Sequence, residues 1–242
     1  MKLIHPIVVV FLLLLLASCS NNKDNSTERA YTMSLAAGDY QTATQILTHW
    51  VNQDSSIQSW AYDSLAYFHF FHNGLVGGQT IRNTKTPMYY VDLGLNLNPK
   101  NTFLREIKSK LYLEQGKDTA CMVIFQELWN ETKDPTFWWD MCFVEMARGN
   151  INTCDSMVTL ALKDSTLQQG KVRMEHIQAH IQENVPAKAA FVYLQALMLN
   201  AIGDILSSAT ALQEALKIDP NFFAAKQSIS DLQRIAAQRQ GR

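Results

Sequence analysis

The sequence predicts an all-α chain built from antiparallel helix pairs. Three observations carry this. Apolar residues recur at three- and four-residue intervals with no sustained alternation of period two. Leu194, Leu197 and Met198 share one helical face, as do Leu206, Ala209, Leu212 and Leu216. Single glycines separate such stretches, at Gly38, Gly116, Gly149 and Gly203, where one helix has to turn tightly into the next. Prolines keep to boundaries: Thr86-Pro87, Asp134-Pro135 and Asp219-Pro220 each pair an N-cap oxygen with a proline whose missing N–H costs nothing in a first turn. Glycine and proline are also scarce, 10 and 6 in 242 residues, which argues against a turn-rich β fold and against disorder. With 47% hydrophobic residues the chain has enough apolar surface for a substantial core. A formal net charge of −1 implies no basic face, so nucleic acid is not an expected partner.

The N-terminus reads as a targeting segment. Lys2 precedes an unbroken apolar stretch over residues 7–17, the length of a signal-peptide core and too short to span a bilayer alone. It ends in Leu16-Ala17-Ser18-Cys19, which resembles a bacterial lipobox. The resemblance implies that residues 1–18 are a lipoprotein signal peptide. It also implies diacylglyceryl on the Cys19 thiol, cleavage before it and acylation of the new amino group. Each buried acyl methylene contributes about 0.8 kcal/mol, so several chains make a stable membrane anchor. Ser20, rather than Asp, follows the cysteine, and the sorting rule that accompanies the lipobox then implies the outer membrane; the leading expectation is that the protein faces the periplasm. Residues 19–27 read as a flexible tether, because "SNNKDNST" has no apolar side chain to bury.

Residues 28–238 read as helix pairs. Stacked pairs need a tight turn within each pair and small residues where the two helices cross. In "YLQALMLNAIGDILSSATALQEALKIDPNFFAAK", Gly203-Asp204 supplies the turn, and Ala196, Ser208 and Ala215 supply the crossings. This stretch resembles a tetratricopeptide repeat, a helix-turn-helix unit of about 34 residues. The signature recurs with Gly116 beside Ser109 and Cys121, with Gly149 beside Cys142, Cys154 and Ala161, and with Gly38 beside Ala43. "GLNLNPKN" repeats the closing "ALKIDPN", with Gly94 where Ala215 stands. The resemblance implies a right-handed superhelical solenoid of about five repeats. The end of the chain, "NFFAAKQSISDLQRIAAQRQGR", reads as a capping helix.

Glycine spacing locates two irregularities. Gly38 and Gly116 lie about ten residues further apart than two repeats require, which fits a loop insertion near residues 73–86 in the glycine-rich "HNGLVGGQTIRNTKTP". Gly149 and Gly203 lie about twenty residues further apart than one repeat requires. An extra helix near residues 168–183 is expected there, with Met174, Ile177 and Ile181 on one face.

The resemblance implies a concave groove lined by the first helix of each pair, in which such proteins hold an extended peptide or a partner helix. By register, Trp139, Phe143 and Met146 of one repeat face the groove, as do Tyr193, Leu197 and Asn200 of the last. Trp138 points into the inter-helix core instead. The competing reading of "FWWDMCFVEM" is a helix so apolar that it is buried all round.

No catalytic, cofactor-binding or metal-binding set is expected. His176 and His180 share a helical face near Glu183, but two ligands do not close a site and "EHIQAH" is not HExxH. His69 and His72 sit among aromatics in "YFHFFH" and read as packed. "GLVGGQT" lacks the lysine and the length of a P-loop, and no GxSxG or GxGxxG occurs. Cys121, Cys142 and Cys154 read as small apolar fillers. In an oxidising compartment Cys142 and Cys154 have the opportunity to pair, but disulfide geometry is demanding and free thiols are expected. The expected function is a non-enzymatic, membrane-anchored scaffold. It binds a protein or peptide partner in the bacterial cell envelope, in assembly of an envelope or secretion complex. The alternatives are an envelope enzyme and a surface-exposed lipoprotein that binds peptide or glycan.

Overall fold

The computed structural model describes residues 22–71, 83–176 and 181–240. The expected signal peptide, Cys19 and most of the expected loop insertion lie outside the described residues. The chain divides into one unit up to Leu104 and a second from Arg105.

The first unit contains α1 (Asn22–Ala36), α2 (Tyr40–Gln53), a 3-10 turn (Ser55–Ile57), α3 (Gln58–Phe71) and α4 (Lys85–Leu97). Helices α1 and α2 pair, as do α3 and α4. Helix α1 starts at Asn22, so most of the expected tether is helical. The segment has neither glycine nor proline to halt a helix propagating back from the packed turns. Helix α1 buries Tyr31, whose ring lies 5.8 Å from that of Trp60; Trp60 also meets Trp50 edge-on at 5.6 Å. Ala43, Leu47, Ala61 and Leu65 complete this core. Gly94 is buried where α4 crosses its neighbours: an added Cβ would stand 2.2 Å from Leu104 Cδ1 and 3.3 Å from Tyr62 Cβ. The cap of α4 differs from expectation. Helix α4 begins two residues before Pro87, and Asn83 Oδ1 accepts from the Lys85 amide at 3.1 Å, so Thr86 is not the N-cap.

Helix α5 (Thr102–Glu114) runs across the division. The second unit continues with α6 (Asp118–Thr132), α7 (Pro135–Ala147), α8 (Ile151–Lys163) and the single turn α9 (Ser165–Gln168). Strands β1 (Lys171–His176) and β2 (Ile181–Pro186) follow, then α10 (Ala187–Ala201), α11 (Ile205–Ile218) and α12 (Phe223–Gln240). Arg105 of α5 bridges to Glu127 and Glu131 of α6 at 2.8 and 2.6 Å; α7 packs on α8, and α10 on α11. The small crossing residues fall where expected: Ser109, Cys121, Cys142, Cys154, Ala161, Ala196, Ser208 and Ala215 are all buried. Ser208 Oγ donates to the Ala196 carbonyl at 2.8 Å, which fixes the α10–α11 crossing. Replacing Ala215 by Trp is expected to lower stability by about 1–3 kcal/mol through overpacking, read as a shifted denaturation midpoint.

One backbone device closes four of the pairs. At Gly203 the chain takes φ +85°, and the Gly203 amide donates to the Asn200 carbonyl at 3.0 Å. The Asp204 amide then donates to the Leu199 carbonyl five residues back at 2.9 Å. This left-handed cap suits a residue without Cβ. The same pair of bonds recurs at Gly38, Gly116 and Gly149. Asp204 next caps α11 by accepting from the Ser207 amide, and Asp39 caps α2 in the same way. Asp134-Pro135 opens α7 as expected, with Oδ1 accepting from the Thr136 amide at 2.9 Å. Asp219 differs. It ends α11, and its carboxylate accepts from the Asn221 amide, while α12 starts only at Phe223.

Among the described residues the expected extra helix is not present. Helix stops after the single turn α9, and an antiparallel hairpin replaces it, with Val172 opposite Val185 and Met174 opposite Glu183. Gly170 at φ +85° ends the turn, and its carbonyl accepts from the Ala187 amide at 3.2 Å. Val172, Met174 and Val185 alternate along their strands and are buried, whereas Lys171, Gln182 and Asn184 are exposed. The 3.6-residue reading failed because Met174 satisfies both periods. The second period was carried by Val172 and Val185, which the helical face did not include.

Candidate functional site

The hairpin rests on the first helices of the pairs in the second unit. Its strands contact α7 and α10, and its side chains reach α5 and α12. Arg173 holds strand β1. Its guanidinium donates to Glu106 Oε2 at 2.9 Å, lies 3.4 Å from Asp134 Oδ2 and sits over the Phe137 ring. Its backbone amide donates to Thr136 Oγ1 at 3.1 Å. Glu106 is buried and also receives Lys110 Nζ at 2.9 Å, so its charge is matched by two cations. Glu183 holds strand β2. Its two carboxylate oxygens accept from the amides of Phe223 and Ala224, at 2.9 and 3.2 Å. These are the first N–H groups of α12, so a carboxylate sits at the positive end of that helix.

This placement revises the expected groove. Trp139 is buried to 9% exposure in one apolar cluster with Val172, Met174 and Val185 of the hairpin, and its Nε1 donates to the Ala190 carbonyl at 3.2 Å. It is therefore core and not an open groove residue. Tyr193 is also covered. Its ring lies 5.0 Å from that of Phe222, its hydroxyl is 3.3 Å from Ser228 Oγ, and burial raises the phenol pKa. The hairpin and α12 supply the cover that the repeat register alone did not include. Phe143 stacks on Trp139 at 5.4 Å and remains half-buried, as do Met146 and Leu197, and Asn200 is exposed. Trp138 points into the inter-helix core as expected. Its Nε1 donates to the Met157 carbonyl of α8, and its ring meets Trp129 of α6 edge-on.

The sequence reading missed Arg173 and Glu106, and it missed the capping role of Glu183. The available signal was the short alternation in "KVRM" between Gly170 and Pro186. Glu183, considered as a metal neighbour, caps α12 instead. His180 lies outside the described residues, and among the described residues no group of three metal-ligating side chains comes together. His69 is half-buried and stacks on Tyr90 at 5.3 Å, and burial lowers its pKa, which favours the neutral ring. A second concave feature lies on another side of α10. It is an open cleft of ≈510 Å³ lined by Val192, Gln195, Leu199, Leu206, Thr210 and Glu214.

Cys121, Cys142 and Cys154 are free and buried. Burial pushes the Cys121 thiol up to about 12 and the Cys154 thiol up to about 11, and Cys142 rises as well. All three are protonated near neutrality and poor nucleophiles. Alkylation at pH 8 is expected to modify none of them in the folded protein and all three after unfolding, counted by mass. The linkage has a definite sign. Because the folded thiols have raised pKa values, their contribution to stability is complete below the unfolded thiol pKa of about 8.5 and falls as pH rises above it.

No family model matches the chain, and no curated protein matches it in sequence. Solved structures do match. A tetratricopeptide repeat protein from Parabacteroides merdae superposes with TM-score 0.58 at 13% identity, over 86% of this chain and 70% of that one. A thermophilic TPR protein of Thermus thermophilus gives TM-score 0.56 at 11% identity, over 86% and 97%. The fold is that of the tetratricopeptide-repeat proteins. Yeast Tom70 also matches, with TM-score 0.56 at 14% identity over 87% of this chain, which spans 40% of Tom70. Within the TPR plan, the glycine turns mark the pairs, and the hairpin is an insertion between the α7–α8 and α10–α11 pairs.

Proposed function

We propose that the protein is a non-enzymatic TPR scaffold. It binds a protein or peptide partner in the bacterial cell envelope through the first-helix face of its second unit, and it is anchored to the outer membrane, facing the periplasm, by lipid on Cys19. The observation that carries the binding reading is that Phe143, Met146 and Leu197 pack against one apolar cluster yet remain half-buried, with Asn200 exposed three residues after Leu197. Aromatic and Met side chains at a partly open surface are the residue types that concentrate binding energy. The anchoring reading is supported by the Leu16-Ala17-Ser18-Cys19 motif.

Site-specific photocrosslinking in intact envelopes tests the binding face. A crosslinking residue at position 200 is expected to give a discrete adduct. The same group at Leu160, an exposed residue of α8, is expected to give none. Equal labelling from both positions would reject this face. Cys19→Ala is expected to remove acyl mass and membrane fractionation together. A mutant that stays with the membrane, beside a native protein carrying no acyl mass, would reject the anchor.

A further inference from the structure

Strand β1 shows what the first-helix face accepts. It is extended backbone with the order Val172-Arg173-Met174. The two apolar side chains enter the same cluster as Trp139, while the arginine runs to Glu106 and Asp134. The face therefore offers apolar contacts for alternate side chains and a carboxylate pair for the basic one between them. Thr136 Oγ1 receives the outward amide of Arg173. Since bonded and non-bonded pairs alternate in an antiparallel ladder, Val172–Val185 and Met174–Glu183 are then the bonded pairs, in phase with the Ala187 to Gly170 bond. A hairpin of two six-residue strands is marginal by itself, so this one is held by its docking.

We propose that the face formed by α5, α7 and α10 is a receptor for an extended apolar–basic–apolar segment. The hairpin is its occupant in cis, and a partner of that pattern binds by displacing it. Polar contacts hold each strand of the hairpin at mid-length: Arg173 of β1 on Glu106, Asp134 and Thr136, and Glu183 of β2 on the start of α12. Release at these points lets the hairpin leave as a unit while α10 and α11 keep their own contacts. The identity of the partner class rests on the binding function proposed above, whereas the opening of the hairpin does not.

Native-state hydrogen exchange on the wild-type protein decides whether the hairpin opens. The amides of Val172 and Met174 are expected to exchange at least about tenfold faster than those of Leu194 and Ala196 in α10, by an opening that exposes less surface than global unfolding. Exchange of both sets in step would overturn the proposal. Charge reversal at the clasp gives the second arm. A fluorescent synthetic peptide of residues 170–186 is expected to bind the Arg173→Glu protein saturably and the wild type at least about tenfold more weakly, because the wild-type face is already filled. A peptide itself carrying Arg173→Glu is expected to bind neither protein. Equal binding of the unaltered peptide to both proteins, or to neither, would overturn the receptor claim. If Arg173→Glu does not fold, the wild-type exchange result stands alone as the test. Absence of a crosslinked envelope partner would count against the scaffold function and leave hairpin opening untouched.

Discussion

Replacing Trp139 by Ala is expected to destabilise the second unit by about 3–5 kcal/mol, the range for removing a buried Trp or Phe side chain. Trp139 has 9% of its surface exposed. It belongs to the apolar cluster that joins α7, α10 and the hairpin, and its indole N–H satisfies the Ala190 carbonyl. Truncation leaves a cavity and removes the indole hydrogen bond, and both costs act in the same direction. Phe143→Ala provides the comparison. Phe143 stacks on Trp139 but is only half-buried, so its loss is expected to cost clearly less. Chemical denaturation of the two single mutants measures the difference. Equal midpoints would mean that Trp139 is as accessible as Phe143 and that the hairpin does not cover it.

Phe222→Ala is expected to have a comparable effect, about 3–5 kcal/mol, by undocking the C-terminal helix. Phe222 is fully buried immediately before α12 and packs its ring against Tyr193. The next two residues give their amides to Glu183. Removing the ring therefore takes away the apolar anchor beside the start of α12, which Glu183 of the hairpin holds. Tyr193 is expected to become accessible at the same time. Its hydroxyl would ionise closer to the ordinary tyrosine range, since burial is the main cause of its raised pKa. Spectrophotometric titration of the phenol together with a denaturation curve checks both consequences. A variant with lower stability and an unchanged tyrosine titration would show that α12 stays docked without Phe222.

The sequence alone determined the helix pairs, because the information is local. Gly38, Gly116, Gly149 and Gly203 each stand where the chain takes a left-handed conformation, and the aspartates after two of them cap the next helix. Residues such as Ser109, Cys121, Ala196 and Ala215 are small because two helices approach there, so their spacing reports the crossings directly. The excess between Gly149 and Gly203 was equally visible as a length, but its structure was not. Met174 fits a helical face with residues 177 and 181 and a strand face with Val172. A segment this short carries too few apolar positions to separate the two periods. Only the tertiary structure chose the strand. Val172, Met174 and Val185 find their apolar cover on α7 and α10, Arg173 finds Glu106 far back in the chain, and Glu183 finds the unsatisfied amides of α12. The burial of Trp139 followed from that choice, and that of Tyr193 from the docking of Phe222 and α12. Their own helices place them at the inner face, but the elements that cover them come from elsewhere in the sequence, and no periodicity within a helix records what another segment lays across it.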